Sequence, residues 1–329
     1  MDQARSNPIS IEVQIEKWPL KNPFIISRGS KTEATVVTVQ LKQDQFLGRG
    51  ECVPYARYQE SPEQTLEILL KLSVPKTREE LQKALPAGAA RNALDCAFWD
   101  LEAKKLGLSV AKLAGKPEPE PHITCFTLSL DTPDAMAKAA KNVPHLKLLK
   151  LKLGGEKDAE RMRAVRAARP DARLLADANE AWTTNMLQDL LDVACECRFE
   201  LIEQPLPEHH DTALTKCKRV VPVCADESVH TRKEITPLRD RYDAINIKLD
   251  KAGGLTEALA MVEIAKAAGL QIMIGSMVAT SLAVAPAMIL AHDAKWIDLD
   301  GPLLLSTDRS PSLKIHKGLI DPPKPTLWG

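Results

Sequence analysis

The stretch "LLKLKLGGEKDAERMRAVRAARPDARLLAD", residues 148–177, holds a short apolar run, a helical pattern and a second apolar run. In the first run the lysines alternate with leucines. Successive side chains of a strand point to opposite faces, so Lys150 and Lys152 share one face and Leu149, Leu151 and Leu153 share the other. Taken alone, the run fits an amphipathic edge strand with solvated lysines equally well. The helical pattern over 156–170 and the strand pattern "RLLAD" over 173–177 make the stretch a β-α-β unit, and the rest of the chain decides what that unit belongs to.

From about residue 120 the same alternation recurs. The strand patterns are "HITCFTL" (122–128), "LLKLKL" (148–153), "RLLAD" (173–177), "FELIE" (199–203), "PVCAD" (222–226), "AINIK" (244–248), "LQIMIG" (270–275) and "WIDLD" (296–300). Helical stretches such as "LTEALAMVEIAKAAGL" (255–270) separate them. Eight β/α units of about 25 residues predict a parallel barrel of the TIM type. A doubly wound open sheet would want a glycine-rich loop after its first strand, and "TLSLDTPD" is not one. Residues 1–118 read differently. "ISIEVQIEKWPL" and "EATVVTVQLKQDQFLGRGEC" alternate with period two, which predicts an antiparallel sheet, and helical patterns follow, among them 88–107. The proline-rich "AGKPEPEPHI" (114–123) reads as a linker. The expected organisation is an α+β capping domain over 1–118 and a modified (β/α)7β TIM barrel over 119–305. Residues 306–329 are surplus to the barrel and are expected to return to the cap.

Composition narrows the function classes. The 329 residues carry 44 Lys+Arg against 44 Asp+Glu and are 44% hydrophobic, which is ordinary for a soluble domain with a large core. A formal net charge of zero gives no basic footprint for nucleic acid. The opening "MDQARSNPISIEVQIEKW" has no apolar leader segment. Residues 272–291 carry no charge and are long enough to span a bilayer. Gly275, Ser276, Thr280, Ser281 and Pro286 interrupt them, so a buried strand, a loop and a buried helix are expected instead of a membrane span. Seven cysteines with no C-x-x-C pair read as reduced thiols. The expectation is a cytoplasmic protein.

In a parallel barrel, chemistry sits at the C-terminal ends of the strands. Those ends carry Lys150 and Lys152, then Asp177, Glu203 and Asp226, then Lys248, and last Asp298 and Asp300. A lone strand-end aspartate is more often a helix cap. Three carboxylates on three consecutive strands converge on one mouth, and an oxygen-only ligand set suits a hard cation such as Mg2+. Without a cation they would repel one another and their pKa values would rise. Lys152 and Lys248 stand on strands four places apart in an eight-strand ring and would face each other across the mouth. A substrate carboxylate on the metal would hold its α-carbon between them, and loss of the α-proton would give an enediolate. A lysine base needs a lowered pKa, which neighbouring cations supply.

The runs "PFIISRGSKTEA", "GECVPYARYQES", "LPAGAARNALDCAFWDL", "DANE", "EQPLP", "CADES", "NIKLDKAGGLTEAL" and "DLDGP" resemble the enolase superfamily, in its muconate-lactonizing subgroup, across essentially the whole chain. Within the subgroup they are most similar to the dipeptide epimerases. The resemblance implies that Asp177, Glu203 and Asp226 bind Mg2+, that Lys152 and Lys248 are the two acid/base groups, and that Lys150 helps stabilise the enediolate. It implies that Asp298 and Asp300 hold the substrate's free α-ammonium. Arg28, in a cap loop, would pair with the side-chain carboxylate of a dipeptide ending in glutamate, of the kind that murein recycling handles. Tyr55 and Tyr58 fit either a pocket lining or cap packing. Homo-oligomers are a family expectation.

Two lysines on opposite sides allow one to remove a proton and the other to return it, which inverts the centre. The paired acids at 298 and 300 want a cation. A dipeptide offers one, whereas muconate, succinylbenzoate and N-acylated amino acids do not. The alternatives are another activity of the subgroup (cycloisomerase, o-succinylbenzoate synthase or N-acylamino acid racemase), an epimerase of a different dipeptide, or a barrel that binds without turnover. Buried lysines beside a metal cost stability and serve no purpose in the last of these.

Overall fold

The computed structural model describes residues 7–329. The cap opens with an antiparallel meander of β1 (Ser10–Ile26), β2 (Gly29–Gln43) and β3 (Phe46–Cys52). The helix Ala89–Leu106 lies under it. This helix is buried nearly all round because it faces two cores. Leu94, Ala97 and Leu101 pack with Val37, Val39 and Leu41 of the sheet, while Cys96, Trp99 and Ala103 join the core of the barrel. Polar contacts pin the same helix to the barrel. Arg91 donates to the carbonyls of Ala252 and Gly253, and Asp95 accepts from the Thr256 backbone N–H and hydroxyl. Gly253 and Gly254, at φ +77° and +113°, make this approach possible, since a Cβ on Gly254 would lie 2.5 Å from Asp95.

The barrel strands are, after the short β4 (His122–Ile123), β5 (Phe126–Leu128), β6 (Leu148–Lys152), β7 (Arg173–Asp177), β8 (Phe199–Glu203), β9 (Val223–Ala225), β10 (Ala244–Lys248), β11 (Gln271–Gly275) and β12 (Trp296–Asp298). They form one parallel sheet in sequential order, and the Cys125 N–H donating to the Ile297 carbonyl at 2.9 Å draws its two edges together. Helices follow the earlier strands, including Asp158–Ala168 and Leu255–Ala267, but after β12 only the single turn Gly301–Leu304 remains. This is the (β/α)7β architecture.

The alternation in β6 has its expected consequence. Leu149, Leu151 and Leu153 pack outward among the helices, and Lys150 and Lys152 lie buried inside the barrel. The barrel floor is a layer of one side chain per strand or its lead-in: Cys125, Leu148, Leu175, Leu201, Cys224, Ala244, Met273 and Trp296. Truncating Trp296 to Ala would cost about 3–5 kcal/mol. Above this plug the side chains turn polar.

Two features differ in detail from the strand patterns. The run 122–128 is split. His122 and Ile123 pair antiparallel with β14 (Leu319–Ile320), which pairs in turn with β13 (Ile315–His316), and only Phe126–Leu128 enters the barrel. Residues 272–291 become the end of β11, a loop, the turn Ser281–Val284 and the 3-10 segment Ala285–Asp293. No helix among the described residues is long and apolar enough to cross a membrane. The chain ends against the cap helix, where Trp328 Nε1 donates to the Cys96 carbonyl at 3.0 Å and the Gly329 N–H to Asp100 at 2.8 Å.

Candidate active site

Strand register sets the central arc. Lys152 of β6 is directly opposite Asp177 of β7, and Asp177 is opposite Glu203 of β8. Asp226 follows β9, and Lys248 ends β10. Five adjacent strands thus present lysine, three carboxylates and lysine in order. All five side chains are buried. Oxygens of Asp177, Glu203 and Asp226 lie within 4.8 Å of one another. Lys152 Nζ is 2.5 Å from Asp177, and Lys248 Nζ is 2.6 Å from Asp226. Lys150 lies deeper, 2.5 Å from both Glu203 and Asp298.

Neighbours hold the arc in place. Asn246 donates to Glu203 Oε1 at 2.7 Å, and Gly275 on the next strand leaves room for it, because a Cβ there would lie 2.6 Å from Asn246 Oδ1. Asn179 donates its backbone N–H and its amide to Asp177. Lys251 pairs with Asp226 at 2.5 Å. Its neighbour Asp250 accepts from the Val53 N–H and from Asn92, tying cap to barrel. Asn179, Glu180 and Gln204, just beyond β7 and β8, adopt φ of +42°, +67° and +35°. Such left-handed non-glycine residues mark backbone strain beside the cluster.

The carboxylates do not behave uniformly. Glu203 is raised by burial and by the neighbouring Asp177 charge, as expected of crowded anions. Burial also acts upward on Asp177 and Asp226, but lysines outweigh it. Lys152, Lys150 and Lys248 hold Asp177 below the usual carboxylate range, and Lys248 and Lys251 do the same for Asp226. The lysines answer in kind. Although burial works against their charge, Asp226 and Glu203 push Lys248 up, and Asp298, Glu203 and Asp177 push Lys150 up. A lysine base needs a downward shift, and a cation that takes over the carboxylate contacts would supply it. The donor set fits one. It consists of three buried carboxylates, oxygen donors only, that converge to within 4.8 Å of one another. Hard oxygen donors of this kind suit a divalent cation such as Mg2+.

Above the arc, cap and barrel enclose a cavity of about 610 Å³. Lys152, Lys248, Asp226, Glu227 and Asn179 line it from the barrel. Arg28, Lys31, Tyr55 and Tyr58 line it from the cap, and Met277 and Val278 from the loop after β11. Arg28 is already engaged. It donates to Glu227 at 2.8 Å, to Glu180 at 3.2 Å and to the Asn179 carbonyl at 2.8 Å. Arg57 pairs with Glu180 and Glu208, each at 3.0 Å. Asp298 and Asp300 are buried behind the cavity wall. Asp298 accepts from Lys150 and Cys125, and Asp300 from the Thr127 N–H. Lys150 holds the Asp298 carboxyl low against burial, while burial and the Asp298 charge push Asp300 up to about 7.

Reading the strand ends thus found every member of the arc. It did not find Asn179, Glu180, Glu227, Asn246 or Arg57. Glu180 and Glu227 stand inside the runs "DANE" and "CADES", three positions past Asp177 and one past Asp226.

The family model described as mandelate racemase / muconate lactonizing enzyme, N-terminal domain, matches residues 8–115, and the enolase C-terminal domain-like model matches 134–325. The L-Ala-D/L-Glu epimerase of Escherichia coli K12 is 46% identical over 315 residues, covering 94% of this chain and 98% of that protein. The N-acetyl-D-glutamate racemase of a Pseudoalteromonas species is 41% identical over 300 residues, covering 89% and 95%. An enolase family member from Agrobacterium tumefaciens with homology to dipeptide epimerases, solved with bound sodium and L-Ala-L-Glu, superposes with a TM-score of 0.95 at 46% identity, covering 98% of this chain and all of that one. Taken with the barrel, the capping sheet and the arc of lysines and carboxylates, these likenesses show that the chain belongs to the enolase superfamily, in its mandelate racemase / muconate lactonizing enzyme branch, and is an isomerase.

Proposed function

We propose that this protein is a divalent-cation-dependent dipeptide epimerase that inverts the α-carbon of the C-terminal residue of L-Ala-Glu by 1,1-proton transfer, in murein peptide metabolism. The observation that carries the reading is the arc itself, with Lys152 and Lys248 at its two ends beside one cavity and three carboxylates between them. The named activity of the Escherichia coli relative supports the choice of substrate.

Asp177, Glu203 and Asp226 would hold Mg2+. When bound, the ion supplies a positive charge that fixes the substrate carboxylate and offsets the charge developing as the α-proton leaves. Lys152 and Lys248 do the proton work from opposite faces: the neutral one takes the α-proton and the charged one returns a proton from the other side. Lys150, fully buried and cationic, stabilises the enediolate from below. Arg28 receives the glutamate side-chain carboxylate, which suits a bidentate guanidinium. Asp298 and Asp300 receive the α-ammonium.

A second reading has its own observation. Asp298 is already held by Lys150 and Cys125, and Asp300 by Thr127. A substrate without a free amine, such as an N-acylated glutamate, would leave those contacts undisturbed, and one relative is named for such a substrate. Proton NMR in D2O with Mg2+ and either L-Ala-L-Glu or N-acetyl-D-glutamate separates the two. Loss of the glutamate α-proton signal with growth of L-Ala-D-Glu supports the dipeptide reading. Exchange of the acetylated substrate alone replaces it with the second reading.

A further inference from the structure

The cap side of the cavity carries three cations, and two of them already have carboxylate partners. Arg28 and Arg57 face Glu180, Glu208 and Glu227, so two guanidiniums meet three carboxylates. A substrate side-chain carboxylate brought to Arg28 would be a further anion on a guanidinium that two carboxylates already contact. The third cation is Lys31. Ion pairs among the described residues do not include it. It is paired directly opposite Phe24 in the β1–β2 hairpin. Directly opposite residues of an antiparallel pair project to the same face. The Phe24 ring is the one that lies 5.8 Å from Lys152 Nζ, so this face of the hairpin looks into the barrel mouth. Lys31 Nζ sits 4.8 Å from the centre of the Tyr55 ring, and both residues line the cavity. The aromatic face holds the ammonium in place by a cation–π contact without neutralising it.

We propose that Lys31 determines specificity for an acidic side chain, its ammonium receiving the carboxylate of the substrate's second residue beside Arg28. The proposal rests on the dipeptide reading above. Lysine gives the right chemistry here, a point charge on a flexible stem at the exposed rim, beside an Arg28 fork that shares its charge with the barrel loops.

The test compares kcat/KM for L-Ala-L-Glu and for its neutral isostere L-Ala-L-Gln, with Mg2+ present, in the full chain and in Lys31→Met and Lys31→Arg. The expected result is a fall of about 10- to 100-fold in the Glu/Gln ratio for Lys31→Met, carried mainly by KM for the acidic substrate, with Lys31→Arg returning most of it. A Lys31→Met enzyme that keeps the parent ratio within about twofold overturns the proposal. So does one that loses both substrates equally, because that is the signature of packing on Tyr55. A parent enzyme that turns over neither dipeptide overturns the dipeptide reading itself, and one that turns over both without preferring Glu overturns the Lys31 proposal alone; the parent data reveal either before any variant is made.

Discussion

The arc over β6–β10 and the rim formed by the cap both crowd opposite charges together, but they are built by different means. In the arc each charged side chain comes from the end of its own strand, and parallel pairing places Lys152, Asp177 and Glu203 side by side with no loop in between. In the rim the arginines come from cap loops and their partners from barrel loops. The Arg28 and Arg57 side chains keep 27% and 32% of their surface exposed, against 1% or less for Lys150, Asp177 and Glu203. A proton-transfer site must hold atoms to within a fraction of an ångström, and strands do that. A recognition surface can be varied on loops without disturbing the strands beneath.

If the arc alone carries the chemistry, its loss should be total and indifferent to substrate. Lys152→Ala and Lys248→Ala should each lower kcat by about 10³-fold or more for every substrate accepted, because general acid–base groups contribute 10²–10⁴-fold. Near-normal turnover of either variant, followed by proton NMR, would remove the two-base mechanism. Chelation should abolish activity and added Mg2+ restore it. Glu203→Gln should weaken Mg2+ binding by about 100-fold in titration calorimetry, with the fold intact by circular dichroism. If the rim governs recognition alone, Arg28→Ala should raise KM for L-Ala-L-Glu by about 10- to 100-fold and change kcat far less. A fall in kcat of the same size would place Arg28 in the chemistry instead.

The smallest effect lies where arc and rim are joined. Burial pushes Asp250 up to about 7 from an ordinary 3.8. The folded state therefore binds a proton that the unfolded state has already lost over that interval. The contribution is fully present below about pH 4 and is lost as pH rises through 7. Asp250→Asn keeps the acceptor for Val53 and should flatten the decline of stability between pH 5 and 8. Urea unfolding at several pH values measures this, and an unchanged slope would mean that Asp250 is ionised throughout.

What the sequence made legible divides along the same line. Strand ends carry a period-two pattern and a fixed place in the barrel, so Asp177, Glu203, Asp226 and the three lysines could be read from their positions. Glu180 and Glu227 could not. Their roles depend on loop geometry, with positive φ at Glu180, and on arginine partners in cap loops, which no local pattern encodes. The split of 122–128 has a similar cause. His122 and Ile123 look like barrel strand and are claimed by Leu319 and Ile320 from far along the chain. The electrostatics were half legible. Crowding of anions was evident, but the lysines that hold Asp177 and Asp226 down reverse the sign expected of those two carboxylates.

The last residues of the chain act as a seat belt. After β14 the polypeptide leaves the barrel, and Arg49 on the cap sheet grips the carbonyls of Thr326 and Leu327. Trp328 and Gly329 then fasten to the helix Ala89–Leu106, which is itself bolted to the barrel through Arg91 and Asp95. The N-terminal half and middle of that helix are thus buckled both to the barrel and to the chain's last residues. Under mechanical pulling at the termini, cap and barrel should therefore yield in a single rip.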